Sequence, residues 1–113
     1  MHELSLAESV IQIIEDAAVA QQFTKVRAVW IEVGSLAGVE PDAMRFCFDA
    51  VTRDTLAEGA RLEIVEVPGK GTCPECGSVH PVANLIDACP QCGSVAVQVE
   101  GGRGLRVKEL DVV

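Results

Sequence analysis

The sequence predicts an α+β fold: two helices packed on a small, mostly antiparallel three-stranded sheet, with a cysteine-bearing module inserted between two of the strands. Three observations predict it. Apolar residues recur at helical spacing near the start, they alternate in two later β-branched runs, and a doubled cysteine motif separates the second run from a final one.

From Leu4 to Ala18 the apolar positions are Leu4, Ala7, Val10, Ile11, Ile14, Ala17 and Ala18, the i, i+3, i+4, i+7 spacing of a helix with one buried face. Lys25 to Val33 then alternates, with Val26, Ala28, Trp30 and Glu32 on one side and Arg27, Val29, Ile31 and Val33 on the other. Its β-branched content and the stop at Gly34 predict a strand, largely buried. Gly34 to Glu40 reads as a loop. A second helix starts at Glu40-Pro41-Asp42, with proline at the first helical position. Met44, Cys47, Phe48 and Val51 form its apolar face, which makes Cys47 a small buried apolar residue. Arg61 to Val67 is a second strand, ending at Pro68-Gly69. After a break at Gly101-Gly102, Leu105 to Val113 is a last strand that returns to the first body. The expected division is an α/β body of residues 1–70 and 101–113, and an inserted module of residues 71–100.

Within that module, Cys73-Pro74-Glu75-Cys76-Gly77 and Cys89-Pro90-Gln91-Cys92-Gly93 are one knuckle written twice. A two-residue gap lets both sulfurs of a knuckle reach one ion. Proline after the first cysteine presets a turn, and glycine after the second admits positive φ, so the backbone can curl around a metal. Two knuckles supply four thiolates, the closed tetrahedral set of a structural zinc site, in what reads as a zinc-ribbon module. The spacer between them has room for a small hairpin. Iron fits the same four-sulfur cage, and spacing alone does not separate the two metals. A redox dithiol is disfavoured because no helix begins after either pair. Zinc closed by four sulfurs has no position for water, so the module holds structure rather than catalyses. His80, in the spacer, reads as an exposed loop histidine, with transient exchange against a cysteine as the alternative.

At 113 residues the chain is one domain, or one domain with a small metal-held module. The hydrophobic fraction of 49% suffices for a core, and the scarcity of aromatics makes that core aliphatic. A formal charge of −8 repels phosphate backbones, which argues against a nucleic-acid partner. No stretch is long and apolar enough for a membrane. The start has no signal-type run, and five cysteines is an odd number. Both points favour a cytoplasmic protein whose thiols are reduced.

The second metal candidate is the chain start. A free Met1 amine, the adjacent backbone amide and the His2 imidazole lie within two residues, and together they can wrap a cation in a planar nitrogen set. That field suits Ni²⁺ or Cu²⁺ over Zn²⁺. Initiator methionine is retained before a bulky second residue, so Met1 supplies the amine. Glu3 has a plainer reading as an early-turn acid that the helix dipole stabilises.

The opening Met1-His2-Glu3-Leu4-Ser5-Leu6-Ala7, the segment Gly34-Ser35-Leu36-Ala37-Gly38-Val39-Glu40-Pro41, the doubled knuckles and the ending Arg106-Val107-Lys108-Glu109-Leu110 carry a resemblance over essentially the whole length. The chain resembles the HypA/HybF family, nickel chaperones of NiFe-hydrogenase maturation. The resemblance implies Ni(II) as transferable cargo at His2, assisted by the Met1 amine and nearby backbone nitrogens. Glu3 would serve there through its backbone or through partner contact. It also implies structural Zn(II) on Cys73, Cys76, Cys89 and Cys92. The implied partners are a nickel-handling GTPase and the precursor of a hydrogenase large subunit, with urease maturation proteins as further candidates. Some members carry Asp where this chain has Glu40, which favours capping over nickel binding there. The expected protein is a carrier and not an enzyme. A zinc-ribbon adaptor without a second metal is the competing reading. A metal-dependent hydrolase would need an open metal beside a general base, which the sequence does not offer.

Overall fold

The computed structural model describes residues 3–113. Its elements in chain order are α1 (Glu3–Gln21), β1 (Val26–Gly34), α2 (Pro41–Val51), β2 (Arg61–Val67), β3 (Gly69–Thr72), β4 (Val79–Val82), β5 (Gln98–Glu100) and β6 (Leu105–Val112). They form two helices and two small three-stranded sheets, of strand order β2-β1-β6 and β4-β3-β5. The two-helix α+β architecture with a returning last strand is as the sequence predicts. The second sheet is an addition to it.

By contacts the chain divides into two units. The first comprises the chain up to Ile31, Val39–Val65 and Arg106–Val113. Here α1 packs on α2. The helical stripe buries Ala7, Val10, Ile11 and Ile14, while Leu4 at its upper end stays half-exposed. In α2, Met44 and Phe48 are fully buried, and Phe48 is the largest such side chain among the described residues. Cys47 is only partly covered, because it lies at the margin of that face and not under it. β1 is the central strand of its sheet, which explains why Val26, Ala28, Val29 and Ile31 are buried on both of its faces.

Local chemistry sets the boundaries of α2. Glu40 has extended backbone angles, and its carboxylate accepts from the Asp42 N–H at 3.3 Å; Pro41 follows at the first helical position. At the other end the Thr52 hydroxyl donates to the Phe48 carbonyl at 2.7 Å, which lets this polar side chain be buried. The segment after it closes on Ala57 and Ala60, both buried, and the Leu56 carbonyl receives the Val26 N–H that starts β1.

The second unit comprises Glu32–Gly38 and Glu66–Leu105. β3 pairs antiparallel with β4 (Gly69 opposite Val82, Thr72 opposite Val79) and with β5 (Lys70 opposite Glu100, Thr72 opposite Gln98). The expected spacer hairpin is therefore displaced: β4 leaves the first knuckle and pairs back to the strand before it, so the knuckle itself is the hairpin turn. Gly34 donates to the Gly104 carbonyl at 2.7 Å, and Leu36 to the Gly102 carbonyl at 2.7 Å. A Cβ on Gly34 would overlap the Gly102 carbonyl group, so the backbones approach this closely only because residue 34 is glycine. No helix among the described residues is long and apolar enough to cross a membrane.

Candidate metal centre

The two knuckles adopt one backbone geometry. In the first, Gly77 donates to the Cys73 carbonyl (2.8 Å) and Cys73 to the Ser78 carbonyl (2.9 Å). In the second, Gly93 donates to the Cys89 carbonyl (2.9 Å) and Cys89 to the Ser94 carbonyl (2.8 Å). Gly77 and Gly93 take φ of 75° and 77°, the left-handed turn that the motif requires of a residue without Cβ. These bonds aim the sulfurs inward. The four Sγ atoms of Cys73, Cys76, Cys89 and Cys92 lie within 4.8 Å of one another. Cys73 stands 3.5 Å from Cys92, and Cys76 stands 3.6 Å from Cys89.

Those separations are too long for disulfides, and the thiols are free. They match a cage: zinc–sulfur bonds of about 2.3 Å in a tetrahedron put the sulfurs about 3.8 Å apart. Cys73 and Cys89, the first cysteine of each knuckle, are buried, whereas Cys76 and Cys92 face solvent. The donor set can therefore hold a metal such as zinc, with one side of the cage under protein and the other open.

Proton affinities in the cluster point the same way. The Ser78 hydroxyl lies 3.3 Å from the Cys89 sulfur, and it leads the N–H groups of Cys92 and Gln91 in pulling that thiol down to about 5. The Cys76 thiol donates to the same hydroxyl at 3.2 Å and is lowered too, chiefly by the Ser78 side chain and backbone. Cys92 receives help from the Ser94 N–H, but the Cys73 sulfur, burial and the other two sulfurs override it and push the thiol up to about 12. Four adjacent thiolates repel, so full ionisation calls for a cation among them.

Ser78 was not among the residues expected at the site. Its signal was available, since the repeat runs on past the glycine as Gly77-Ser78-Val79 and Gly93-Ser94-Val95. The two serines differ in use: Ser78 faces the sulfurs, whereas the Ser94 hydroxyl accepts from the Ala96 N–H. His80 corrects the expectation of an exposed loop histidine. It lies on β4 opposite Gly71, outside the thiol group, and both of its ring nitrogens are buried without a hydrogen-bond partner. A Cβ on Gly71 would stand 2.9 Å from its Nε2, so the glycine makes room for the imidazole across β3.

Of the second metal candidate, Met1 and His2 lie outside the described residues. Glu3 opens α1, and its carboxylate accepts from the Glu40 N–H at 3.2 Å.

A family model described as "Hydrogenase/urease nickel incorporation, metallochaperone, hypA" matches residues 1–112. The chain belongs to the HypA family. Curated relatives agree along their whole length. The hydrogenase maturation factor HypA of Albidiferax ferrireducens is 58% identical over 112 residues, and that of Azotobacter vinelandii is 57% identical over 112 residues; each alignment covers 99% of both chains. Among solved structures, the nickel metallochaperone HypA of Helicobacter pylori superposes with a TM-score of 0.71 at 26% identity, over 100% of this chain and 98% of that one. Its relatives are named as maturation factors and metallochaperones, and no catalytic family is indicated.

Proposed function

We propose that the protein carries Ni²⁺ at its N-terminus and hands it on during hydrogenase maturation in the cytoplasm, while zinc on Cys73, Cys76, Cys89 and Cys92 holds the inserted module together. The observation that carries this reading is that the family match begins at residue 1, so it includes Met1-His2-Glu3. The terminal amine, the following backbone amides and the His2 imidazole form a nitrogen set suited to nickel. The Glu3 carboxylate is engaged by the Glu40 amide, so its contribution to nickel comes through its backbone nitrogen. An exposed site of few ligands lets a recipient's ligands displace the ion one by one, which a buried cage would resist.

The zinc assignment rests on the four-sulfur geometry and on the repulsion that keeps Cys92 protonated without a cation. When bound, zinc supplies a closed four-thiolate anchor. Cys73 and Cys89 hold it from the protein side, and Ser78 steadies two of the sulfurs. The recipients in this reading are a nickel-handling GTPase and the large-subunit precursor of a hydrogenase, with urease maturation as a second outlet.

The test is to block the amine. A protein whose Met1 amine is acetylated should keep its zinc and its fold and lose nickel transfer to an acceptor. Transfer at the parent rate would overturn the terminal site, and a parent protein that takes up no nickel at all would support the adaptor reading, in which the chain bears no second metal.

A further inference from the structure

An apolar groove of about 290 Å³ runs between α1 and β6 in the first unit, and none of the four clustered cysteines lines it. Ile13, Ala17 and Gln21 line one wall at i, i+4 and i+8 of the helix, and Val107, Leu110 and Val112 line the other. Lys108 and Glu109 border it too, so consecutive strand residues all reach it. Successive strand side chains point to opposite faces of a sheet. A groove bordered by every residue from Val107 to Leu110 must therefore follow the edge of β6 and not one of its faces. β6 ends its sheet, so among the described residues no strand pairs with its outer side. Ile13 is 49% exposed beside that edge.

Charge narrows the occupant. Over its 19 residues α1 carries Glu3, Glu8, Glu15 and Asp16 and no Lys or Arg, and its last turn, where the carbonyls are partly negative, has no basic residue. Lys108 and Glu109 on the strand side cancel. None of the four acids lines the groove itself, but a second copy of this chain would bring a further charge of −8 toward a helix that carries only acids.

We propose that this groove receives an extended segment of a partner protein, apolar at alternate positions and flanked by Lys or Arg, which adds as a strand to the outer edge of β6. Main-chain hydrogen bonds to β6 supply affinity, and every second side chain of the segment rests on Ile13 and Ala17. The basic flank lies along α1 and its C-terminal carbonyls. This assignment stands apart from the nickel reading and needs no nickel to be present.

The probe is a random-peptide library displayed on phage, panned against the zinc-loaded full chain and counter-selected on Ile13→Glu. The expected consensus is apolar at every second position with Lys or Arg beside it. The synthesised peptide should slow amide hydrogen exchange along β6, bind more weakly as salt rises, and lose about tenfold or more in affinity for Ile13→Glu, as befits losing an apolar anchor. Methylating its alternate backbone nitrogens should abolish binding with the protein unaltered. A consensus of helical spacing overturns the proposal, as does an absence of groove-dependent peptides or undiminished binding by the methylated peptide. A concentration-dependent dimer that Ile13→Glu dissolves would give the groove to a second copy and overturn it as well.

Discussion

Stripping the metal from the protein should unfold the second unit and leave the first intact. The two units differ sharply in what they bury. In the first, the buried apolar residues are Ala7, Val10, Ile11, Ile14, Val26, Ala28, Val29, Ile31, Met44, Phe48, Ala57, Ala60 and Leu62, a contiguous core by composition. In the second they are Val33, Val82, Cys73 and Cys89, and two of those four are the proposed ligands. Burying a valine contributes about 1.5–3 kcal/mol. Binding of a structural zinc by four such ligands contributes about 10–16 kcal/mol at neutral pH. The metal term thus outweighs either valine several-fold, and β3 to β5, of only three or four residues each, cannot stand without it. The assay is amide NMR of zinc-loaded protein before and after exhaustive chelation under reducing conditions. Amides of Gly69–Thr72, Val79–Val82 and Gln98–Glu100 should collapse to random-coil shifts, whereas those of Val10, Ile14, Val29 and Ile31 stay dispersed. Retained dispersion in β3, β4 and β5 with no metal bound would refute the reasoning, because the apolar contacts would then suffice alone.

Phe48→Ala removes the largest fully buried side chain and should lower the stability of the first unit by about 3–5 kcal/mol in urea unfolding, with zinc content unchanged. Gly34→Ala sets a methyl group against the Gly102 carbonyl and should destabilise by about 1–3 kcal/mol or more, whereas Gly104→Ala, where a Cβ meets nothing within 4 Å, should be far milder. Zinc binding at pH 7 should release protons: in the metal-free cluster Cys89, at about 5, is already ionised, while Cys92, at about 12, holds a proton that zinc must displace. Affinity should accordingly rise with pH through neutrality, and calorimetric enthalpies in buffers of different ionisation heat should reveal at least the Cys92 proton.

Much of the first unit was legible because its signals are local. The stripe of Ala7, Val10, Ile11 and Ile14 is a helical period that packing then honours, and Glu40-Pro41 marks a helix start by chain chemistry alone. β2 lies where alternation from Arg61 to Val67 placed it. β3 gave no such signal, since Gly69-Lys70-Gly71-Thr72 has neither alternation nor β-branched apolar residues and becomes a strand only by pairing with both β4 and β5. The burial of the His80 ring nitrogens was hidden for a related reason: it depends on Gly71, which lies opposite in register and not nearby in sequence. The four cysteines were readable because a knuckle is a local motif doubled. Their unequal burial, and the hydroxyl of Ser78 shared between Cys76 and Cys89, are set by how the two knuckles face each other. Cys47 was placed too deep because helical spacing identifies a face but not its margin.

The proposed function stands on a transferable nickel at the chain start, separate from the cysteine cage. Nickel titration of untagged, zinc-loaded protein beside its His2→Ala variant tests it most directly, with zinc measured in the same samples. The expected result is about one chelator-labile nickel per chain for the parent, none for the variant, and equal zinc in both, as a nitrogen-ligated site distinct from four thiolates requires. Equal nickel affinity in the two proteins would contradict the claim.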